Sequence, residues 1–108
     1  MHLEKWYHIY MMSNRSKTIY VGVTGHLRTR VWQHKTGQVE GFTSRYKLDR
    51  LVYLERYKYV RHALAREKQL KGWTRIKKIQ LIVGVNQAWK DLVEDWYPDL
   101  KKDEGQNA

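Results

Sequence analysis

Five polar side chains in this sequence are of the kinds that cleave a phosphodiester bond. They are Tyr10, Tyr20, Arg30, His34 and Glu67. Arginine offers planar donors to phosphate oxygens, histidine orients water or contacts the same phosphate, and a carboxylate holds a hard divalent cation. A hydrophobic core alone does not account for them, so they are the first candidates for a catalytic site.

Glu67 lies within a stretch, Val60–Lys71, whose spacing of apolar residues predicts a helix. Leu64, Ala63 and Val60 precede it by three, four and seven residues, which places them around it on one helix face. A carboxylate on an apolar face is costly unless it is paired or binds a metal. Two interpretations therefore stand side by side: a salt bridge to a basic neighbour, or a ligand for a cation such as Mg²⁺, which needs only one or two protein carboxylates.

Arg30 and His34 are four residues apart in a second predicted helix, Leu27–Lys35. At this spacing they project from the same side of the helix. The pair either contacts a phosphate or belongs to an ordinary solvated face. The remaining histidines lack the spacing of metal ligands, and the chain has no cysteine, so the sequence predicts no zinc site.

The two tyrosines belong to the strands of a predicted β-hairpin. If the turn centres near Arg15, Tyr10 lies opposite Tyr20 and the two rings share one face of the sheet. Gly22 follows Tyr20 on that face, and its missing side chain leaves space for a phosphate to approach. The alternative is that both tyrosines are ordinary sheet aromatics.

Further elements follow from alternation, turn residues and helical spacing. The predicted strands are Trp6–Met12, Thr18–Thr24 and Leu51–Tyr57, and the further predicted helices run from the cap at Thr74 to Val85 and over Trp89–Trp96. Gly72 is expected to end the Val60–Lys71 helix as a left-handed C-cap. We expect one domain over residues 1–97 and a polar, disordered tail over residues 98–108.

The charge of the chain is unevenly distributed. Residues 1–90 carry 19 Lys and Arg against 5 Asp and Glu, whereas residues 91–108 carry 2 against 6. A basic body predicts a polyanionic partner, because lysines and arginines release condensed counterions when they meet phosphates. No apolar run is long enough for a membrane span or a signal peptide, so a cytoplasmic location is expected.

The order of these motifs resembles that of the GIY-YIG nuclease family, and in particular its small stand-alone bacterial proteins. His8-Ile9-Tyr10 stands at the first motif, with histidine where the family name has glycine, and Tyr20-Val21-Gly22 stands at the second. Arg30 lies ten residues past the second tyrosine, where family members carry a catalytic arginine. The stretch 65–73 resembles the segment that bears the metal-binding glutamate, and Asn86 resembles the late asparagine of the family.

The resemblance, which covers residues 6–96, implies an α+β fold with a three-stranded antiparallel sheet flanked by about four helices. It also implies a metal-dependent endonuclease in which Glu67 holds a single Mg²⁺ or Mn²⁺ on the scissile phosphate. A tyrosine, foremost Tyr20, would activate water with help from Tyr10. Arg30 would stabilise the charge that builds on phosphorus, and His34 would bind water or phosphate.

Substrate contacts are expected from glycine, asparagine and basic side chains outside the catalytic set. These residues are Gly22, Asn86, Arg45, Lys47, Arg75, Lys77 and Lys78. The loop at residues 41–47 either grips a strand or packs Phe42 into the core, and the basic residues that begin the helix after Thr74 either bind the nucleic-acid backbone or form a solvated face.

The leading functional hypothesis is an endonuclease that hydrolyses DNA, branched or damaged DNA included, with structure-dependent or weakly sequence-specific cleavage. A nucleic-acid-binding module without turnover and a basic adaptor at a protein or ribosomal surface are the alternatives. The oligomeric state is open.

Overall fold

The structure is a computed structural model that describes residues 5–39, 41 and 45–97. The predicted tail at residues 98–108 and the prediction for Phe42 lie outside the described residues. The strands are β1 (Tyr7–Ser13), β2 (Ile19–Thr24) and β3 (Arg50–Tyr57), and the helices are α1 (Leu27–Lys35), α2 (Val60–Lys71) and α3 (Arg75–Val85).

The three strands form one antiparallel sheet in the order β2-β1-β3, with β1 at the centre. This confirms the predicted α+β class and the three-stranded sheet. The described residues define the bounds of three helices, where about four were predicted. None of the described helices is long and apolar enough to span a membrane.

The register of the hairpin differs from the predicted one by two residues. Tyr10 is paired with Gly22, and Tyr20 is paired with Met12. The turn is centred one residue later than expected because Asn14 closes it, accepting hydrogen bonds at its backbone carbonyl from the Lys17 N–H and at its side chain from the Thr18 N–H. A shift of two residues keeps every side chain on its face, so the two tyrosines still lie on the same side of the sheet.

Each face of the sheet covers its own hydrophobic cluster. Ile9 and Met11 of β1 face a cluster that includes Leu70 of α2 and Ile82 of α3. Tyr10 and Met12 of β1 face the opposite way, into a second cluster, whose other members are Val31, Leu48, Leu51 and Val93. Because side chains alternate between the two faces along β1, α3 packs on one face of the sheet and Val31 of α1 packs on the other.

The helix boundaries follow local signals. The Thr74 hydroxyl accepts a hydrogen bond from the Lys77 N–H and caps α3, as predicted. Gly72 does follow α2, but its φ is −82°, so the expected left-handed C-cap is wrong. The backbone there stays helical, and the Gly72 N–H donates to the carbonyls of Lys68 and Gln69.

The predicted helix over Trp89–Trp96 is absent, and this segment is a series of turns. Trp89 has a φ of 56°, which is incompatible with a right-handed helix. The Asp91 carboxylate accepts hydrogen bonds from the Leu51 and Val93 N–H groups. Side chains that bond the local backbone in this way compete with helix formation. We call residues 86–97 the C-terminal segment.

The C-terminal segment also holds α1 in place. The Lys35 ammonium pairs with the Asp91 carboxylate, and Arg28 donates to the Trp96 carbonyl at 3.0 Å. Tyr97 donates in return to the Arg28 carbonyl. These contacts at both ends of α1 set the direction in which Arg30 and His34 project.

Candidate active site

Three aromatic side chains from three different elements meet on one face of the sheet. They are Tyr10 of β1, Tyr20 of β2 and His34 of α1. The ring centroids are 6.2 Å apart for the two tyrosines, 5.4 Å for Tyr10 and His34, and 5.5 Å for Tyr20 and His34. The Tyr10 hydroxyl is hydrogen-bonded to His34 Nε2 at 2.9 Å. This aromatic cluster brings together three of the five residues predicted to be catalytic.

Gly22 makes room for the Tyr10 ring rather than for a ligand. A Cβ placed on Gly22 would lie 2.4 Å from both Cζ and the hydroxyl oxygen of Tyr10. The Tyr10 ring therefore fills the space that was predicted to admit a phosphate, and substrate binding by Gly22 stays a prediction. Its role is to let Tyr10 reach across β2, the edge strand, with its hydroxyl.

His34 is buried and uncharged at neutral pH. Burial, and next the positive charge of Arg30, lower the pKa of His34 to about 4. Its Nδ1 has no hydrogen-bond partner among the described residues. The ring is therefore a neutral hydrogen-bonding group that orients the Tyr10 hydroxyl, and it does not add positive charge to a phosphate site.

Tyr10 is a protonated hydroxyl at neutral pH. Burial raises the pKa of Tyr10 most, and the neighbouring Tyr20 raises it further. Arg30 acts in the opposite direction, and Glu67 adds to the increase. The charge of Arg30 does not outweigh burial, so Tyr10 is a hydrogen-bonding and positioning group.

The two remaining predicted residues, Arg30 and Glu67, lie close enough to Tyr10 for their charges to change its pKa. Arg30 is exposed on α1, one turn before His34, and its charge acts on both Tyr10 and His34. Glu67 of α2 acts on Tyr10 as well. An exposed cation and a partly exposed carboxylate thus lie near the aromatic cluster, as a phosphate-cleaving site needs.

Glu67 forms an ion pair with Lys71, one turn further along α2. The Nζ of Lys71 is 3.5 Å from Oε2 of Glu67, and the same ammonium lies 5.9 Å from the centre of the Tyr20 ring. Lys71 is the basic neighbour that the salt-bridge interpretation of Glu67 anticipates, at a spacing of four residues along the helix. The predicted apolar surroundings of Glu67 are only partly present, because Val60 and Leu64 are exposed.

A second ion pair orients α2 on the other side. Arg66 donates from Nε and Nη2 to the Glu55 carboxylate of β3, at 3.0 Å and 2.9 Å. Tyr57 and Tyr53 donate to the same carboxylate. Burial by itself raises the pKa of Glu55, but these hydrogen bonds outweigh it and lower the pKa. Because Arg66 precedes Glu67, this network fixes the rotation of the helix that presents Glu67.

Glu67 is the residue that fits a divalent cation. Its side chain is 21% exposed, and its present partner is the 50% exposed Lys71, which can move aside. The described residues contain no group of three or more His, Cys, Asp and Glu that would hold a metal by themselves. A cation here would have one carboxylate ligand and would complete its shell with water and phosphate oxygens, as Mg²⁺ commonly does.

Asn86 lies away from the aromatic cluster and is used structurally. Its side-chain amide donates to the carbonyls of Val52 and Lys90, and its oxygen accepts from the Lys90 N–H. It is 8% exposed. Asn86 therefore joins β3 to the C-terminal segment, and the structure does not support its assignment as a substrate contact.

The predicted basic contacts also lie outside the cluster. Arg75, Lys77 and Lys78 begin α3, which packs through Ile82 on the sheet face opposite Tyr10. Arg45 and Lys47 lie in the exposed loop that precedes β3. The structure therefore separates the three cations of α3 from the tyrosine pair.

Residues 6–80 match the sequence model of the GIY-YIG catalytic domain. The chain belongs to the GIY-YIG family. The match spans β1, β2, α1, β3 and α2, the elements that carry the aromatic cluster, Arg30 and Glu67. A GIY-YIG domain is typically a nuclease, which agrees with the phosphodiester chemistry of these side chains.

Relatives of this GIY-YIG protein are small bacterial proteins. UPF0213 proteins of Staphylococcus aureus strains Mu3 and Mu50 are each 34% identical to it over 74 residues, which cover 68% of this chain and 90% of theirs. The solution structure of a UPF0213 protein from Bacillus halodurans has the same fold, with a TM-score of 0.54 at 21% identity, over 83% of this chain and 96% of that one.

Proposed function

We propose that this protein is a divalent-metal-dependent endonuclease that hydrolyses DNA phosphodiester bonds. The observation that carries the proposal is the convergence on the Tyr10 hydroxyl. His34 is bonded to that hydroxyl, Tyr20 lies beside it, and the opposite charges of Arg30 and Glu67 both act on it. A cation and a carboxylate whose charges both act on one hydroxyl are the groups that bind a phosphate and a divalent cation.

The side chains divide the work by their surroundings. Arg30 is exposed and permanently charged, so it binds the scissile phosphate and stabilises the negative charge that builds in the transition state. As a phenolate, Tyr20 would accept the proton of the attacking water and become the neutral phenol, while the leaving 3′ oxygen would take up a proton from solvent. Tyr10 and neutral His34, hydrogen-bonded to each other through Oη and Nε2, pack against the Tyr20 ring and hold it in place.

Glu67 would hold the Mg²⁺ or Mn²⁺ ion, which when bound polarises the phosphate and neutralises charge on its oxygens. Binding requires the Lys71 ammonium to leave the Glu67 carboxylate. An exposed ion pair of this kind contributes only about 0.2–1 kcal/mol, so its loss is a small barrier to cation binding.

The test is a nicking assay on duplex and branched DNA with Mg²⁺ or Mn²⁺, using wild type, Glu67→Gln and Glu94→Gln. Glu94 is an exposed acid of the C-terminal segment, so its substitution matches the change in charge without touching the aromatic cluster. We expect wild type and Glu94→Gln to cleave equally, and Glu67→Gln to lose at least about 100-fold in rate. Equal cleavage by all three proteins would refute the proposal.

The alternative is a nucleic-acid-binding module without turnover. The Lys71–Glu67 pair favours it, because a lysine already neutralises the one carboxylate of the site. In that case wild type binds DNA but cleaves it no faster than Glu67→Gln with either metal.

A further inference from the structure

A second polar concavity lies at the end of the sheet where β1 ends and β2 and β3 begin. It has a volume of about 230 Å³ and lies between the β1–β2 turn, with Asn14 and Arg15, and the residues before β3, with Tyr46 and Lys47. We call it the hairpin cleft. Asp49 and Arg50 also line the cleft.

The hairpin cleft is built by a specific contact. The Asn14 side chain donates to the Tyr46 carbonyl at 2.8 Å and accepts from the Thr18 N–H at 3.1 Å. One amide thus closes the turn and ties it to the loop that precedes β3. The two walls of the cleft are held together by this pair of bonds.

The lining of the hairpin cleft carries an excess of positive charge. Three cations, Arg15, Lys47 and Arg50, line it together with one carboxylate, Asp49. In the part of the chain that the structure describes, no ion pair involves any of these four side chains. Cations that are gathered at one concavity and left without acidic partners favour an anion from outside.

The backbone at Lys47 is in a rarely occupied conformation. Its φ is 54°, in the left-handed region that glycine and asparagine adopt more readily than lysine. Such a conformation persists only where the surroundings determine it, and it concentrates at functional sites. It presents a lysine at the cleft although another residue would fit the turn better.

The distance of the cleft from the cluster suits a nucleic-acid backbone. Asn14 follows Tyr10 by four residues along β1, or about 13 Å at the rise of a strand. That length corresponds to roughly four nucleotides along a duplex. A duplex whose scissile phosphate lies at the aromatic cluster is therefore long enough to place another phosphate at the cleft.

We propose that the hairpin cleft binds a backbone phosphate of the nucleic acid a few nucleotides from the scissile bond, with Arg15, Lys47 and Arg50 as its donors. The proposal rests on the proposed function, because it assigns the protein a phosphodiester substrate. Contacts to backbone phosphates carry no base sequence, so the cleft adds affinity and register without specificity.

The test compares two double variants that remove the same number of charges. Arg15→Gln/Lys47→Asn changes the cleft, and asparagine keeps a residue that tolerates positive φ. Lys58→Gln/Arg61→Gln changes two exposed residues just after the last residue of β3, at the other end of that strand. Affinity for a labelled duplex is measured against salt concentration without divalent metal, so that no cleavage occurs.

We expect the cleft variant to bind about tenfold or more weakly at 0.1 M salt, with the slope of log K against log[salt] reduced by about 1.8. The control should lose much less, and kcat with Mg²⁺ should stay within about twofold of wild type in both, while KM rises in the cleft variant alone. A melting temperature within about 4 °C of wild type verifies folding. If the double variant does not fold, Lys47→Asn alone should reduce the slope by about 0.9.

An equal loss of DNA affinity in the two double variants would mean that only net charge matters. It would overturn the proposed phosphate site in the cleft and would leave the proposed nuclease activity unaffected. Selective loss of binding in a protein that does not cleave DNA would support the cleft and reject the nuclease. A wild type that neither binds nor cleaves DNA would reject both.

Discussion

The Tyr10 hydroxyl contacts, or feels the charge of, the other side chains of the site. Its position depends on the absence of a side chain at the residue paired with it on β2. Gly22 is its cross-strand partner, and no other residue leaves the ring this space. The hydroxyl then reaches His34 Nε2 and lies within the electrostatic reach of Arg30 and Glu67. A single absent methyl group thus permits the contact between the sheet and α1.

We predict that Gly22→Ala displaces the Tyr10 ring and lowers the free energy of unfolding by about 1–3 kcal/mol, because the new Cβ would lie 2.4 Å from the ring. Gly84→Ala is the matched control, since a Cβ there meets nothing within 4 Å and replaces glycine within α3. The control should be stabilised by up to about 1 kcal/mol. Urea denaturation measures both, and a Gly22→Ala protein as stable and active as wild type would contradict the packing role.

At the scale of elements, α2 is oriented by contacts on two sides. Arg66 binds Glu55 of β3, and the adjacent Glu67 reaches the tyrosine side. Leu70 of the same helix packs into the hydrophobic cluster around Ile9. The rotation of one helix therefore sets whether the carboxylate faces the aromatic cluster.

We predict that Glu55→Gln destabilises the protein by about 2 kcal/mol, because Arg66, at 22% exposure, loses its charged partner in a partly buried place. The Mg²⁺ concentration for half-maximal cleavage should rise at the same time, since Glu67 is less well positioned. Glu94→Gln, the same substitution at an exposed acid, should change neither quantity. A variant that is destabilised but needs no more Mg²⁺ would limit Glu55 to a structural role.

The boundaries of α1 and α2 could be predicted because they follow the local spacing of apolar residues. The hairpin register was wrong because a turn can close one residue later without altering the apolar pattern, and the side-chain bonds of Asn14 decide it. The helix predicted over Trp89–Trp96 failed for another reason. Asn86 and Asp91 bond to β3 there, a contact between residues far apart in sequence that no local pattern reveals.

Among the site residues, all five predicted catalytic side chains lie in or beside the aromatic cluster, and the salt-bridge partner foreseen for Glu67 is Lys71. Spacing suffices for pairs on one helix, such as Arg30 with His34. The direction of the Tyr10 pKa was not predictable, because burial, which dominates it, depends on packing between elements.

At the scale of the whole molecule, buried His34 couples folding to pH. Its pKa is about 4 in the folded protein and about 6.5 when exposed, so between these values the unfolded chain binds a proton that the native state does not. The free energy of unfolding therefore rises with pH over this window, by up to about 3 kcal/mol from this group. Above pH 6.5 the contribution is complete.

We predict that His34→Gln flattens the dependence of stability on pH between 4 and 6.5, whereas His62→Gln, at an exposed position, leaves it as in wild type. Urea denaturation at intervals of pH measures the difference. His8, whose pKa is also lowered by burial and then by Arg56, contributes in the same direction and remains in both variants. Parallel profiles for the two variants would show that His34 is not the coupled group.

The C-terminal segment has a consequence for the behaviour of the protein at high concentration. β3 is an edge strand, and unpaired backbone groups at an edge recruit strands of other molecules. Here the Leu92 N–H donates to the Leu51 carbonyl, the Asp91 carboxylate accepts from the Leu51 N–H, and Asn86 donates to the Val52 carbonyl. The segment therefore occupies backbone groups at the start of that edge, at Leu51 and Val52, which are then not open to pairing with a strand of another molecule.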